Sequence, residues 1–192
     1  MAEKQVITDH KLIVIGGSSG SLDALLILLP KLNKDFSIPI LVVMHRGIKT
    51  DNRLTDLLAA KTTLHIKEAD EKDRLLPGWV YLAPPDYHVL LEEDGTLSLD
   101  ASEKVHFCRP SIEVSFISAA QAYKKNCIAV LLSGANADGA RAMRAVKECG
   151  GRNIVQDPAE ALVDYMPAQA ILLSPVDDVL PAAGIAALLN TL

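Results

Sequence analysis

Aromatic residues are scarce, at 4% of a 192-residue chain, so the core must be aliphatic and drawn from the 49% of residues that are hydrophobic. Clustered lysine and arginine are also missing, and the net charge is −5. A phosphate backbone is held by just such clusters, so nucleic acid is excluded as the main partner and an anionic membrane surface is disfavoured. Cysteine is limited to Cys108, Cys127 and Cys149, an odd number without CxxC spacing. The first residues, "MAEKQVITDHK", lack a secretory apolar segment. Together these predict reduced thiols in the cytoplasm. The longest apolar runs, "ALLILL" and "IAVLL", are too short to span a bilayer, so no direct membrane insertion is expected. Neither H-x-x-x-H nor H-E-x-x-H occurs, so the sequence gives no support for a metal site. Repeats, low-complexity segments and linkers are lacking too, and the length suits one domain with a sizeable core.

What is present is an alternation. Continuous apolar, β-branched runs at 12–15, 38–45, 78–85 and 127–134 read as buried parallel strands. More polar strands are predicted at 63–69, 152–158 and 176–180. Between them lie helical segments at 21–32, 51–60, 109–125, 137–148, 166–173 and 181–189. Asp51 is a candidate cap for the second of these, and Pro110 stands near the start of the third. Asp94-Gly95 between two short apolar runs (87–100) is a hairpin signal. The predicted fold is α/β: a doubly wound, mostly parallel sheet with helices on both faces and an antiparallel hairpin at one edge. Residues 1–10 are expected to be a tail and 11–192 the folded domain.

In such sheets sites form beyond the carboxyl ends of the strands. The first strand ends at Gly16-Gly17-Ser18-Ser19-Gly20, which matches G-x-S-x-G. Glycines let the chain turn sharply and raise a serine hydroxyl above the sheet, and the next helix start supplies N–H groups for an oxyanion. The same serines would also serve as helix caps. Alternatively the loop would hold a phosphate on the helix end, although neither G-x-x-x-x-G-K-[ST] nor G-x-G-x-x-G fits. The second strand ends at His45, followed by Arg46. The apolar run at 127–132 ends in Ser133-Gly134-Ala135-Asn136-Ala137-Asp138-Gly139. Asp138 is placed to cap the next helix or to orient an imidazole. Singly, each residue reads as structural. Jointly, a serine, a histidine and an aspartate each stand just past a different strand.

The segments "VIGGSSGSLDAL", "VVMHR", "LPGWVYLAPPDYHVLL", "CRPSIEVSF" and "LLSGANADGARAM" resemble, in the same order, the catalytic domain of the chemotaxis protein-glutamate methylesterase (CheB) family. The resemblance covers roughly residues 12–190. It implies a serine hydrolase that removes methyl esters from glutamate side chains on the cytoplasmic helices of chemoreceptors, and that deamidates certain glutamines. By motif it assigns Ser18 as nucleophile, His45 as base and Asp138 as the orienting acid. Ser19, Gly20, Ala135, Asn136 and Arg109 are candidates for oxyanion or substrate contacts, and no cofactor is implied. The chain departs from the family pattern at Ser19, Ser21, Ala135, Asn136 and Cys108. The family's usual preceding receiver domain is not expected within 1–192, and a separate receiver domain or sensor kinase is an implied partner. Two rivals remain open: a relative that binds receptors or kinase without turnover, and a phosphate binder of the same fold class.

Overall fold

The computed structural model describes residues 10–46 and 53–192. Nine strands and six α-helices alternate over these residues. They are β1 (Leu12–Gly17), α1 (Ser21–Leu28), β2 (Ile40–Met44), α2 (Arg53–Ala59), β3 (His65–Glu68), β4 (Trp79–Leu82), β5 (His88–Leu91), β6 (Leu97–Asp100), α3 (Ile112–Tyr123), β7 (Cys127–Leu131), α4 (Ala142–Glu148), β8 (Arg152–Gln156), α5 (Tyr165–Leu173), β9 (Asp178–Leu180) and α6 (Ala182–Leu189). Seven strands form one sheet in the order β3-β4-β2-β1-β7-β8-β9. Every pairing in it is parallel.

The central strand β1 is buried throughout, and its alternation divides the core in two. Leu12 and Val14 pack with α3, α4, α5 and the β5–β6 hairpin. Ile13 and Ile15 pack with α1, α2 and α6 on the opposite face. The helix following β1 therefore lies on one face and the helix following β7 on the other. The boundary between neighbouring β1 and β7 is the crevice where this architecture leaves room for a site.

Several elements differ from the sequence reading. The hairpin forms, with Val89 opposite Leu99 and Leu91 opposite Leu97, but as a sheet of its own. The strand before it, β4, already has β3 and β2 as neighbours, so it offers no free edge. The hairpin instead buries Val89, Leu91 and Leu97 against α3, and its Thr96 bridges to Arg74. The first helix tightens into a 3₁₀ turn at Leu29–Lys31, where Pro30 lacks the N–H to continue. The third helix begins at Ile112, beyond a cis Arg109–Pro110 bond. The fourth begins at Ala142, not 137, so Asp138 stands in a turn. The candidate cap Asp51 lies outside the described residues. Among the described residues, no helix is long and apolar enough to cross a membrane.

Candidate active site

Ser18 sits one residue past β1 in a turn bonded from both sides. Its N–H donates to the Ser133 carbonyl (2.9 Å), and its own carbonyl accepts from the Ser21 N–H (3.0 Å) and the Ser21 hydroxyl (2.6 Å). Gly20 closes the turn at φ +81°, where a Cβ would lie 2.7 Å from both Leu162 Cβ and Ser133 Oγ. This glycine occupies the N-cap position of α1, and no side chain caps that helix. The serines are thus not spent on capping α1. The N–H groups of Ser19, Gly20, Ala135 and Asn136 donate to no acceptor among the described residues.

His45 follows β2, and its N–H donates to the Gly17 carbonyl, which carries the β1–β2 ladder one step further (3.3 Å). Its ring stands between two partners: Nδ1 is 3.2 Å from Ser18 Oγ, and Nε2 is 2.8 Å from Asp138 Oδ2. With Nε2–H donating to the carboxylate, the Nδ1 lone pair faces the hydroxyl.

Asp138 is fully buried in its side chain and accepts four hydrogen bonds. Oδ2 takes the Ile112 N–H (2.7 Å) as well as His45 Nε2–H; Oδ1 takes the Ser111 hydroxyl (3.0 Å) and the Glu113 N–H (3.1 Å). The aspartate therefore does not start its own helix. It satisfies the free N–H groups of α3, a helix from a different part of the chain. Burial opposes its ionisation, but the His45, Ile112 and Glu113 hydrogen bonds outweigh that and hold its carboxyl below the usual range. Gly16 lets this happen near Ser18: a Cβ there would sit 2.4 Å from Ile112 Cγ2 and push the start of α3 away.

Asn136 and Cys108 complete the surroundings of the imidazole. Asn136 Nδ2 is 3.3 Å and Cys108 Sγ 3.6 Å from His45 Nδ1, while Asn136 Oδ1 accepts from the Asp138 N–H (3.1 Å). His45, Cys108 and Asp138 present ligand-type atoms within 4.8 Å of one another. A cleft of about 320 Å³ opens beside them, lined by His45, Arg46, Lys104, Phe107, Cys108 and Arg109. Arg109 belongs to the wall by virtue of its bonds: it is held by Asp86 and by the carbonyls of Ala101 and Ser102. Arg46 is likewise paired, with Glu68 and the Ala83 carbonyl.

The other described histidines have structural surroundings. His88 is buried, accepting from the Ser111 N–H and donating to the Glu103 carbonyl. His65 stacks on Trp79 at 4.8 Å, and His106 pairs with Glu113. His10 is exposed. Sequence reasoning missed Ser111, whose hydroxyl and following N–H groups hold Asp138. It missed Phe107 too, which stands at the cleft mouth 97% exposed.

A model of the CheB methylesterase family matches residues 13–189. A Leptospira interrogans protein named "Putative protein-glutamate methylesterase/protein-glutamine glutaminase" is 43% identical over 180 residues, 94% of this chain and 93% of that one. A Carboxydothermus hydrogenoformans protein named "Protein-glutamate methylesterase/protein-glutamine glutaminase 1" is 38% identical over 92% of this chain, which spans 54% of that longer protein. The crystal structure of the Thermotoga maritima CheB methylesterase catalytic domain superposes with a TM-score of 0.92 at 35% identity, covering 96% of this chain and 99% of that one.

Proposed function

The chain belongs to the CheB methylesterase family, and from that premise we propose that it hydrolyses γ-methyl esters of glutamate side chains on the cytoplasmic helices of chemoreceptors, working in the cytoplasm, with deamidation of glutamine by the same route. The observation that carries the reading is the unbroken hydrogen-bonded line from Ser18 Oγ through the His45 ring to Asp138.

In this mechanism His45 Nδ1 takes the Ser18 proton as Oγ attacks the ester carbonyl. Asp138 fixes the tautomer and stabilises the imidazolium that forms. The oxyanion is received by the unbonded N–H groups around the turn, those of Ser19 and Gly20 on one side and of Ala135 and Asn136 on the other. His45 then returns the proton to the departing methoxide, and methanol leaves. Water attacks the acyl-enzyme by the same proton path and releases glutamate; for glutamine the leaving group is ammonia. The cleft beside His45 is the approach for the substrate, with Phe107 at its mouth as an apolar contact for a receptor helix.

The test is methanol release from methylated receptor. Ser18→Ala should lower turnover by on the order of 10³–10⁶, and a serine-directed fluorophosphonate should label Ser18 in the wild type. Near-full methanol release by the Ser18→Ala protein would overturn the assignment.

A further inference from the structure

Two side chains beside His45 Nδ1 take no part in acyl transfer: the Asn136 amide, with Nδ2 3.3 Å away, and the Cys108 thiol, with Sγ 3.6 Å from Nδ1 and 3.6 Å from Asn136 Nδ2. The thiol is held there by backbone, because Val105 and Cys108 exchange both of their hydrogen bonds (3.2 and 2.9 Å) around a two-residue turn. The two turn residues, His106 and Phe107, both have positive φ. The next residue, Arg109, is fastened by Asp86 and two carbonyls.

We propose that His45 Nδ1 and Cys108 Sγ form a chelating site for a thiophilic divalent cation of the zinc type, and that occupation of this site shuts off hydrolysis. Zinc binds imidazole nitrogen at about 2.0–2.1 Å and thiolate at about 2.3 Å, so a tetrahedral ion separates those two donors by about 3.6 Å. That is the separation found here. The nitrogen facing away from the ion, Nε2, donates to Asp138 at 2.8 Å. A carboxylate on the far nitrogen is the usual outer support of a metal-bound histidine, since it fixes the tautomer that leaves the other lone pair free.

Ser18 Oγ lies 3.2 Å from Nδ1, close to the roughly 3.3 Å edge between nitrogen and oxygen ligands of a tetrahedral ion. It supplies the third ligand and water from the cleft the fourth, while the Asn136 NH₂, which lies against both Nδ1 and Sγ, turns aside as the ion enters. Asp138 is not a ligand, because both its oxygens are taken by four donors. On binding, the thiol proton passes to solvent and the sulfur binds as thiolate. The Nδ1 lone pair is then bonded to metal and unavailable to the Ser18 proton. The inhibition rests on the functional reading above, whereas the chelate itself stands on geometry alone.

The experiment is a cobalt(II) titration of the intact chain, followed by the thiolate-to-cobalt charge-transfer band, in wild type, Cys108→Ala, Cys108→Ser, His45→Ala and Cys149→Ala. It is paired with zinc inhibition of small-ester hydrolysis in wild type, both Cys108 variants and Cys149→Ala, each measured against its own metal-free rate and then restored with a chelator; His45→Ala is read by the cobalt band alone. The band should form in wild type and Cys149→Ala and be lost in both Cys108 variants and in His45→Ala. The zinc concentration for half-inhibition should rise more than about tenfold in the Cys108 variants. A band that survives Cys108 replacement, or zinc inhibition of equal strength in wild type and Cys108→Ser, would overturn the site. A wild type that forms the band but never hydrolyses esters would overturn the functional reading and leave the chelate standing.

Discussion

Replacing Asp138 with asparagine separates its two jobs, because the four bonds to the carboxylate all come from donors. An asparagine has one oxygen and one amide NH₂. If the oxygen stays at the Oδ2 position, it keeps the Ile112 N–H and His45 Nε2–H, and the NH₂ faces Ser111 Oγ and the Glu113 N–H. The Ser111 hydroxyl can turn to accept, but the Glu113 N–H loses its partner, at about 1–3 kcal/mol. Loss of the negative charge at the start of α3 adds about 0.3–1 kcal/mol. The expected destabilisation is therefore about 1–4 kcal/mol. The ring tautomer survives in this arrangement, so the rate suffers mainly from losing the charge opposite the imidazolium, worth about 2–4 kcal/mol at this kind of site. That corresponds to a fall in kcat of roughly 30- to 1000-fold.

The folded carboxyl titrates below its unfolded value, so its stabilising contribution is present above about pH 3.9 and is lost as pH falls through the lower folded value. Urea unfolding should show the gap between wild type and Asp138→Asn at neutral pH, closing as the pH drops below about 4. His45→Ala is the control: it should remove activity and leave the three α3 bonds to Asp138 intact, at a cost of about 1–3 kcal/mol for the one donor the buried carboxylate loses. An Asp138→Asn protein as stable as wild type at pH 7, or one destabilised but with unchanged kcat, would refute the double role.

Gly20→Ala forces a side chain into a left-handed conformation against Leu162 and Ser133; it should cost about 1–3 kcal/mol in urea unfolding and lower kcat by shifting the Ser18 turn, and a wild-type midpoint would contradict this. Phe107→Ala removes an almost fully exposed ring beside the cleft. It should raise KM for methylated receptor about 3- to 10-fold, on the order of 1 kcal/mol of contact, while leaving small-ester hydrolysis unchanged; equal effects on both substrates would remove it from receptor contact. Burial pushes the Cys127 thiol up to about 12, so iodoacetamide should alkylate it only as fast as the protein unfolds, and rapid labelling of the native protein would contradict its placement in β7.

The sheet was legible because its strands are buried on both faces and read as unbroken apolar runs, as in 12–15 and 127–132, with helical periods between. Ser18, His45 and Asp138 could be singled out because each follows such a run, and the parallel architecture places strand ends on one rim. What was hidden depends on long-range packing. The hairpin's propensity is local, but whether it extends a sheet edge or covers α3 depends on β4 already having two neighbours. For Asp138 the sequence offered a cap for its own helix, because capping is usually local, or a partner for an imidazole; three of its donors instead come from Ser111, Ile112 and Glu113, 25 to 27 positions earlier. A signal did exist: the helix predicted at 109–125, with Pro110 near its start, needs its first N–H groups satisfied, and no side chain of its own caps it.

That arrangement also accounts for how three residues from separate loops are held in one line without a rigid loop at each. The start of α3 is driven into place by Ile112, which is buried against Gly16, and by Ser111, whose N–H is fixed by buried His88. Once there, it presents two N–H groups and a hydroxyl, three donors that a carboxylate satisfies in one orientation, and Asp138 takes that place. The carboxylate edge left over points Oδ2 at His45 Nε2, so the imidazole is aimed by a helix terminus and not by the length of the 132–141 loop. Alterations that loosen α3, such as Phe116→Ala in its fully buried face, should therefore lower kcat while the Ser18 turn, which is fastened separately to Ser133 and Ser21, keeps reacting with a fluorophosphonate at a reduced rate. Phe116→Ala should cost about 3–5 kcal/mol in stability, and an unchanged kcat in the folded variant would show that Asp138 holds its orientation without the helix.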